Sequence, residues 1–99
     1  MHKILAFVIG TRPEAIKLAP VIRCALNDHN ASFKIVVITT GQHPEPVGEI
    51  LKIFSITPDY KLEIHRAISD SLSLLQSQIQ NQLEELFINL NPDIVIIQG

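Results

Sequence analysis

The chain has 99 residues, of which 46% are hydrophobic and 18% charged, and its formal net charge is -2. This length predicts one domain or part of one, with a core that buries roughly 65% of the surface of the unfolded chain. No block of basic residues is present, which argues against a nucleic-acid partner. The single cysteine, Cys24, excludes an intrachain disulfide framework and a cysteine-based zinc site. A cytoplasmic location fits this composition.

The first residues superficially resemble a signal peptide. The apolar run 4–9 is short, and the polar segment 11–14 follows it without a small-residue cleavage site. The run therefore predicts a buried first strand. No apolar run in the chain approaches the ~20 residues that a bilayer-spanning helix needs, so no membrane partner is expected.

Four strand-like segments are distributed along the chain. Segments 4–9, 34–40 and 93–98 contain continuous apolar or β-branched runs. Such runs are typical of parallel strands that are covered on both faces. Segment 60–64 alternates between apolar and polar residues and predicts a half-buried edge strand.

Three helical patterns lie between these strands. The first covers about 13–28; Pro13 suits the first helical position, and Pro20 is expected to kink or restart the helix. The second covers about 46–54. The third, over 72–90, is the clearest, because its large apolar residues step by three and four.

The third helix also carries boundary signals. Asp70 or Ser69 is placed to cap its start, and Pro92 to stop it. The element order is βαβαβαβ, which predicts an α/β fold with a parallel, doubly wound, Rossmann-like sheet and right-handed crossovers. Ligands of such sheets bind beyond the carboxyl ends of the strands, so the loops 10–14 and 41–46 are the candidate binding segments.

The loop 10–14 has the features of an anion site. It opens a helix, whose N-terminal N–H groups and dipole attract phosphate, and Arg12 adds a guanidinium fork. Lys17 follows one turn later on the face of Glu14. Only Gly10 is a glycine here, so both common glycine-rich nucleotide fingerprints are missing. An exposed Arg12–Glu14 ion pair is the alternative interpretation.

The second loop offers a different chemistry. Gln42 and His43 follow a strand and could both contact a polar ligand, and His43 could also exchange protons near neutral pH. A solvated loop histidine is the alternative. Cys24 lies beside the core face of the first helix, where packing is favoured over a nucleophilic role. The remaining histidines are scattered and predict structural or exposed positions: His2, His29 and His65.

Four segments of the sequence form an ordered set of motifs. They are 3–22, with Gly10-Thr11-Arg12-Pro13-Glu14-Ala15-Ile16-Lys17-Leu18-Ala19-Pro20-Val21-Ile22; Thr40-Gly41-Gln42-His43; 54–62, with Pro58-Asp59-Tyr60-Lys61-Leu62; and Asn91-Pro92-Asp93-Ile94-Val95-Ile96-Ile97-Gln98-Gly99. In this order they resemble the signatures of the non-hydrolysing UDP-N-acetylglucosamine 2-epimerases. The first is long and specific, and together the four cover essentially the whole chain.

This resemblance implies two Rossmann-like domains in the glycosyltransferase-B arrangement, with the substrate in the cleft between them. It implies interconversion of UDP-N-acetylglucosamine and UDP-N-acetylmannosamine by elimination and re-addition of UDP, with no dissociable cofactor or catalytic metal. Arg12 and Lys17 then match basic residues near the UDP and the active site, and Glu14 is grouped with them as substrate-binding. Gln42 and His43 match contacts to a second, activating UDP-N-acetylglucosamine.

The chain also departs from the family pattern. Segment 44–46 is Pro-Glu-Pro, where the family usually has Arg, then Glu or Gln, then Met, and segment 68–72 replaces an Arg/Gln-Gln-Thr/Ser-Leu motif. The expectation is an incomplete N-terminal Rossmann-like domain over 1–99, without the C-terminal domain, without an assigned catalytic residue and inactive alone. The interpretations left open are a truncated or split enzyme with a complementing C-terminal half, a non-catalytic nucleotide-sugar binding or regulatory module, and a degenerate remnant. An uncovered apolar sheet edge predicts homo-oligomers or aggregation.

Overall fold

Strands and helices alternate in the predicted order. The computed structural model describes residues 3–28, 32–64 and 72–98. In chain order, the elements are β1 (Lys3–Ile9), α1 (Arg12–Asn27), β2 (Phe33–Thr39), α2 (Pro44–Ile53), β3 (Tyr60–Lys61), α3 (Leu72–Leu90) and β4 (Ile94–Ile96). The predicted α/β fold is confirmed.

The four strands form one parallel sheet in the order β3-β2-β1-β4. The central strand β1 pairs with β2 along its whole length, from Lys3 opposite Phe33 to Ile9 opposite Thr39. On its other side β1 pairs with β4. The chain moves outward from β1 to β3 and then returns to the opposite side of β1. The strand order therefore reverses between β1 and β4, which is where doubly wound sheets usually bind ligands.

Helices cover both faces of the sheet. On one face, α1 and α2 pack against alternate side chains of β1 and β2, including Phe7, Ile9 and Val37. On the other face, α3 covers the intervening side chains, including Ala6 and Ile38. Because both faces are covered, both sets of alternating residues are apolar, and this explains the continuous apolar runs in the sequence.

Two aspartates fix the outer strands to their inner neighbours. Asp59 donates its backbone N–H to the Val37 carbonyl oxygen at 2.8 Å, and its carboxylate accepts the Val37 N–H at 2.7 Å. Asp93 makes the same pair of bonds to Ile4, at 2.9 and 2.6 Å. Each aspartate follows a proline and lies just before its strand. The Pro-Asp dipeptide thus sets the register of β3 against β2 and of β4 against β1.

Helix α2 ends in a Schellman motif. Ser55 lies in the left-handed region with φ 56°, its N–H donates to the Lys52 carbonyl at 3.0 Å, and the Ile56 N–H donates to the Leu51 carbonyl at 2.8 Å. Arg23 of α1 donates from Nη1 to the carbonyl oxygens of Phe54 (3.3 Å) and Ser55 (3.0 Å). These bonds attach the end of α2 to α1 and satisfy carbonyl groups that the helix itself leaves open.

Several boundaries differ from the prediction. Strand β3 is only two residues long and both are exposed, because pairing with β2 stops at Lys61. Helix α2 begins at Pro44 rather than 46, since proline needs no hydrogen-bonded N–H in the first turn. Helix α1 runs continuously through Pro20, so the predicted restart does not occur, whereas the predicted kink stays a prediction. The proposed caps, Ser69 and Asp70, lie outside the described residues.

Two burial predictions are wrong. Strand β4 was expected to be covered on both faces, but Ile94 and Val95 are exposed, because β4 is a three-residue edge strand paired only with β1 in the described part of the chain. Cys24 was expected to pack beside the core but is exposed, since Ile22 of α1 takes the core-facing position. His2, His29 and His65 lie outside the described residues.

Candidate functional site

Two loops meet at the carboxyl edge of the sheet. The first follows β1 at Gly10, and the second follows β2 at Thr40. The Thr40 N–H donates to the Ile9 carbonyl oxygen at 3.0 Å, which extends the β1–β2 pairing to the point where both loops begin. The segments predicted to bind ligand are therefore neighbours.

The first loop is held by the carboxylate of Glu14. Glu14 Oε1 accepts the Gly10 N–H at 3.0 Å, and Glu14 Oε2 accepts the Thr11 hydroxyl at 2.6 Å. Thr11 is the N-cap of α1, and Glu14 lies in its first turn. The arrangement is a variant of the capping box, because the glutamate reaches one residue further back than usual. A carboxylate is also favourable at this end of the helix dipole.

The predicted cations of the first loop lie outside this network. Arg12 and Lys17 are both exposed. Glu14 takes its bonds from Gly10 and Thr11, and no Arg12–Glu14 ion pair forms within the described residues. The ion-pair alternative is therefore wrong for this structure, and the guanidinium of Arg12 stays available to an anion. The binding roles of Arg12, Glu14 and Lys17 stay predictions.

The second loop turns on a glycine. Gly41 has φ 82°, and a Cβ there would lie 2.8 Å from the Leu62 carbonyl oxygen. Both the left-handed backbone and the close contact exclude a side chain at this position. After Gly41 come Gln42 and His43, whose side chains are exposed, with His43 as the N-cap residue of α2.

The two loops touch at Gly10. The Gln42 side-chain oxygen accepts the hydroxyl of Thr40 at 3.2 Å and lies 2.4 Å from where a Cβ of Gly10 would be. Thr40 is only 4% exposed, and it is the one polar residue buried among those described. The amide oxygen of Gln42 thus lies against the first loop, while the residue as a whole is exposed.

A pocket of about 680 Å³ opens between the end of β2, helix α2 and the segment around β3. Its volume lies in the range of small-molecule sites, roughly 300–1,000 Å³. The floor is apolar, with Val47, Leu51 and Ile56 buried. Among the described residues, the ionisable side chains that line it are Lys52, Lys61 and His43, and none is an aspartate or glutamate. The lining therefore favours an anionic ligand that also has an apolar part.

Of the five predicted site residues, only His43 lines this pocket. Arg12, Glu14 and Lys17 belong to the neighbouring α1 start, and Gln42 lies between the two regions. Prediction from the sequence gave no site role to three residues found here, Thr40, Lys52 and Lys61, although Thr40 and Lys61 lie within the segments that carry the family resemblance. Lys61 is the last residue of the short strand β3 and could have been found by the strand-end rule. Lys52 could not, because only the packing of α2 turns it toward the pocket.

Two classes of feature are not found in the described ranges. No group of three or more histidine, cysteine, aspartate or glutamate residues within 3–28, 32–64 and 72–98 could hold a metal ion. None of the helices in these ranges is long and apolar enough to cross a bilayer.

The fold defines a Rossmann-like α/β protein whose first two strand-end loops meet at one edge of the sheet, and comparison with known proteins identifies the class further. Residues 25–99 match the family described as UDP-N-acetylglucosamine 2-epimerase. The UDP-N-acetylglucosamine 2-epimerase of Escherichia coli K12 is 38% identical over 92 residues, covering 93% of this chain and 24% of that protein. The chain therefore belongs to the UDP-N-acetylglucosamine 2-epimerase family.

Solved structures agree with this assignment. The Neisseria meningitidis UDP-GlcNAc 2-epimerase bound to UDP-GlcNAc superposes with a TM-score of 0.84 at 34% identity, over 97% of this chain and 26% of that one. The Methanocaldococcus jannaschii enzyme in complex with UDP-GlcNAc and UDP gives 0.82 at 27% identity, over 97% and 26%. The chain spans about a quarter of the length of the relatives that it matches.

Proposed function

We propose that this chain supplies nucleotide-sugar binding loops to a UDP-N-acetylglucosamine 2-epimerase. The reaction is the interconversion of UDP-N-acetylglucosamine and UDP-N-acetylmannosamine, by elimination of UDP and its re-addition after the configuration at C2 has changed. The observation that carries the proposal is the meeting of the Gly10 and Thr40 loops at the carboxyl edge of the sheet. Family membership supplies the substrate class.

The first loop is proposed to face the diphosphate of the substrate. Arg12 and Lys17 are exposed and lie five residues, or about 1.4 turns, apart along α1. A guanidinium fork beside a helix N-terminus suits phosphate oxygens. Because Glu14 already takes the Gly10 N–H and the Thr11 hydroxyl, its proposed role is to hold the loop in shape. The phosphate is then bound by the cations.

The second loop is proposed to contact a second nucleotide sugar that activates the enzyme. The 680 Å³ pocket beside it has an apolar floor and cationic groups from Lys52 and Lys61, with the imidazole of His43 also in its lining. An apolar floor suits a base or sugar ring, and cations suit a diphosphate. Gln42, at the edge of this region, can offer an amide to a sugar hydroxyl.

Proton transfer at C2 requires a positioned base, and the proposal assigns none in the described residues. The residues 1–99 are accordingly proposed to form part of an N-terminal Rossmann-like domain, with the remaining groups contributed by further sequence. The partners proposed are UDP or UDP-N-acetylglucosamine, a complementing C-terminal half, and a second copy of the chain. The last is supported by the exposed side chains of Ile94, Val95 and Ile97 on and beside the β4 edge.

A second candidate function is a nucleotide-sugar binding or regulatory module without catalysis. The observation that favours it is the engagement of Glu14, the carboxylate nearest to the first loop. Each of its oxygens accepts one hydrogen bond from the chain itself, which assigns Glu14 to holding the loop and leaves the proposed site without an assigned base.

Isothermal titration of the purified chain with UDP and with UDP-N-acetylglucosamine tests the proposal. Saturable binding that Arg12→Ala weakens and Lys34→Ala leaves intact is the expected result. Lys34 is an exposed lysine near the opposite end of β2, which makes it a matched control for loss of positive charge. A folded chain without binding contradicts the proposal. Epimerisation on addition of a complementing C-terminal half supports the enzyme, whereas binding without epimerisation supports the module.

A further inference from the structure

One glycine connects the two proposed ligand loops. Three side-chain oxygens surround the open side of Gly10: the position of its absent Cβ lies 2.4 Å from Gln42 Oε1, 3.1 Å from Thr40 Oγ1 and 3.4 Å from Glu14 Oε1. Gln42 and Thr40 belong to the second loop, whereas Glu14 belongs to α1. Gly10 does not have a positive φ, so a larger residue meets no backbone strain there; its Cβ would instead press on the far end of the flexible Gln42 side chain, which would have to move.

The buried hydroxyl of Thr40 holds the Gln42 amide in this orientation. The Thr40 hydroxyl, buried to 4% exposure, donates to Gln42 Oε1 at 3.2 Å. A buried hydroxyl without a partner is costly, so Thr40 favours the inward position of Gln42. Beyond it, the Gly10 N–H donates to Glu14 at 3.0 Å. A continuous line of contacts therefore runs from Gln42 to the first turn of α1.

We propose that Gln42 is a positioning residue. When a ligand binds at the second loop, Gln42 moves, and its contact with Gly10 transmits this change to the first loop. The inference deepens the proposed function and rests on it, because Gln42 is also a proposed ligand contact. A ligand that hydrogen-bonds the Gln42 amide in an outward position draws its carbonyl oxygen away from the Thr40 hydroxyl. Withdrawal of Gln42 opens the packing over the Gly10 peptide and loosens the Gly10–Glu14 bond, which holds the loop that carries Arg12.

Coupling between the loops requires that a ligand interact differently with the inward and outward positions of Gln42, and these contacts provide that difference. A ligand shifts a conformational equilibrium only through its different interactions with the two states. With Gln42 inward, Thr40 satisfies the amide oxygen; with Gln42 outward, the ligand does. The same exchange makes the coupling reciprocal, so a ligand at the first loop also changes affinity at the second.

The contact is tested first without ligand, by measuring amide hydrogen exchange at Gly10 in the 99-residue chain by NMR. Gln42→Ala and Thr40→Val are expected to speed Gly10 exchange by about 5-fold, the equivalent of one ordinary hydrogen bond. Thr40→Ser restores the hydroxyl and is expected to keep the wild-type rate. Gln76→Ala, at an exposed position of α3, is the control for glutamine removal. Unchanged Gly10 exchange in Gln42→Ala overturns the inference.

A double-mutant cycle provides the second readout. Gly10→Ala places a methyl group where Gln42 Oε1 now lies, so it is expected to displace Gln42 and change the exchange rate of Thr11. In the Gln42→Ala background the same substitution is expected to have at most about half of that effect, because the two sites are in contact. Additive effects of the two substitutions contradict a direct contact.

Titration with UDP-N-acetylglucosamine then tests the transmission. In the wild type, the Gly10 amide resonance and the Gln42 side-chain resonance are expected to follow one binding curve. In Thr40→Val the Gln42 resonance still titrates but Gly10 no longer follows it, and Thr40→Ser restores the common curve. Gly10 titrating normally in Thr40→Val overturns the transmission. Absence of binding by the wild type overturns the proposed function instead, while the ligand-free exchange result still decides whether the contact exists.

Discussion

The two Pro-Asp dipeptides offer a comparison of the same bond in two environments. Asp59 and Asp93 each accept one backbone N–H through the carboxylate, at 2.7 and 2.6 Å. Val37, the partner of Asp59, is 2% exposed and its bond is partly buried, whereas the bond from Ile4 to Asp93 is exposed. Water can replace a lost acceptor at Ile4 but not at Val37.

We therefore expect Asp59→Ala to destabilise the fold more than Asp93→Ala. A hydrogen bond to a charged group contributes roughly 1.5–3 kcal/mol, and leaving a buried donor unsatisfied costs about 1–3 kcal/mol. Asp59→Ala should lower the free energy of unfolding by about 2–3 kcal/mol. Asp93→Ala should lower it by about 1 kcal/mol, because an ordinary net hydrogen bond contributes about that much when water can compensate.

Urea denaturation followed by circular dichroism measures both values. Asp59→Asn and Asp93→Asn keep an acceptor without the charge and are expected to lose about half as much as the alanine variants, since bonds to charged groups are about twice as strong. The slope of the unfolding free energy with urea should not change. Equal losses at Asp59 and Asp93 would refute the argument from burial, and a larger loss at Asp93 would reverse it.

Three further predictions concern the loops. Ser55→Gly is expected to stabilise the fold by about 0.5–1 kcal/mol in urea denaturation, because Ser55 has φ 56° at a position where glycine avoids the left-handed strain; a loss of stability would contradict this. Gly41→Ala should cost about 1–3 kcal/mol, since φ is 82° and the new Cβ would lie 2.8 Å from the Leu62 carbonyl oxygen; a neutral result would mean that the loop relaxes freely. Arg12→Ala should weaken UDP binding by roughly 1.5–3 kcal/mol if the guanidinium bonds the diphosphate, and calorimetry with Lys34→Ala as the charge control distinguishes this contact from a general loss of charge.

The sequence predicted element order and sheet type well, because both faces of a doubly wound sheet require apolar residues and those runs are visible in 4–9 and 34–40. It did not predict the exposure of β4. An apolar run such as 93–98 does not reveal how many neighbours the strand has. The start of α2 at Pro44 instead of Pro46 was also missed, since both prolines suit the first turn of a helix and the sequence pattern does not choose between them.

The candidate site was predictable to the level of loops but not of contacts. The strand-end rule located Gly10 and Gly41 from the sequence. It could not show that Glu14 turns back to the Gly10 N–H, because a capping glutamate and a ligand-binding glutamate have the same sequence pattern. Nor could it show that Gln42 folds inward onto Thr40, which depends on tertiary packing of the two loops.

The structure thereby separates two kinds of residue at this edge of the sheet. Glu14 and Gln42 use their polar atoms to hold the loops. In the described ranges, by contrast, the side chains of Arg12, Lys17 and Lys61 are exposed, and their cationic groups bond no other side chain there. Because these cations make no such bond in this part of the chain, an anionic ligand can bind them without first breaking one. The loop-holding residues, Glu14 and Gln42, instead determine the distances between those cations. Substitution of a cation should therefore lower binding affinity, whereas substitution of a loop-holding residue should change the coupling between the loops.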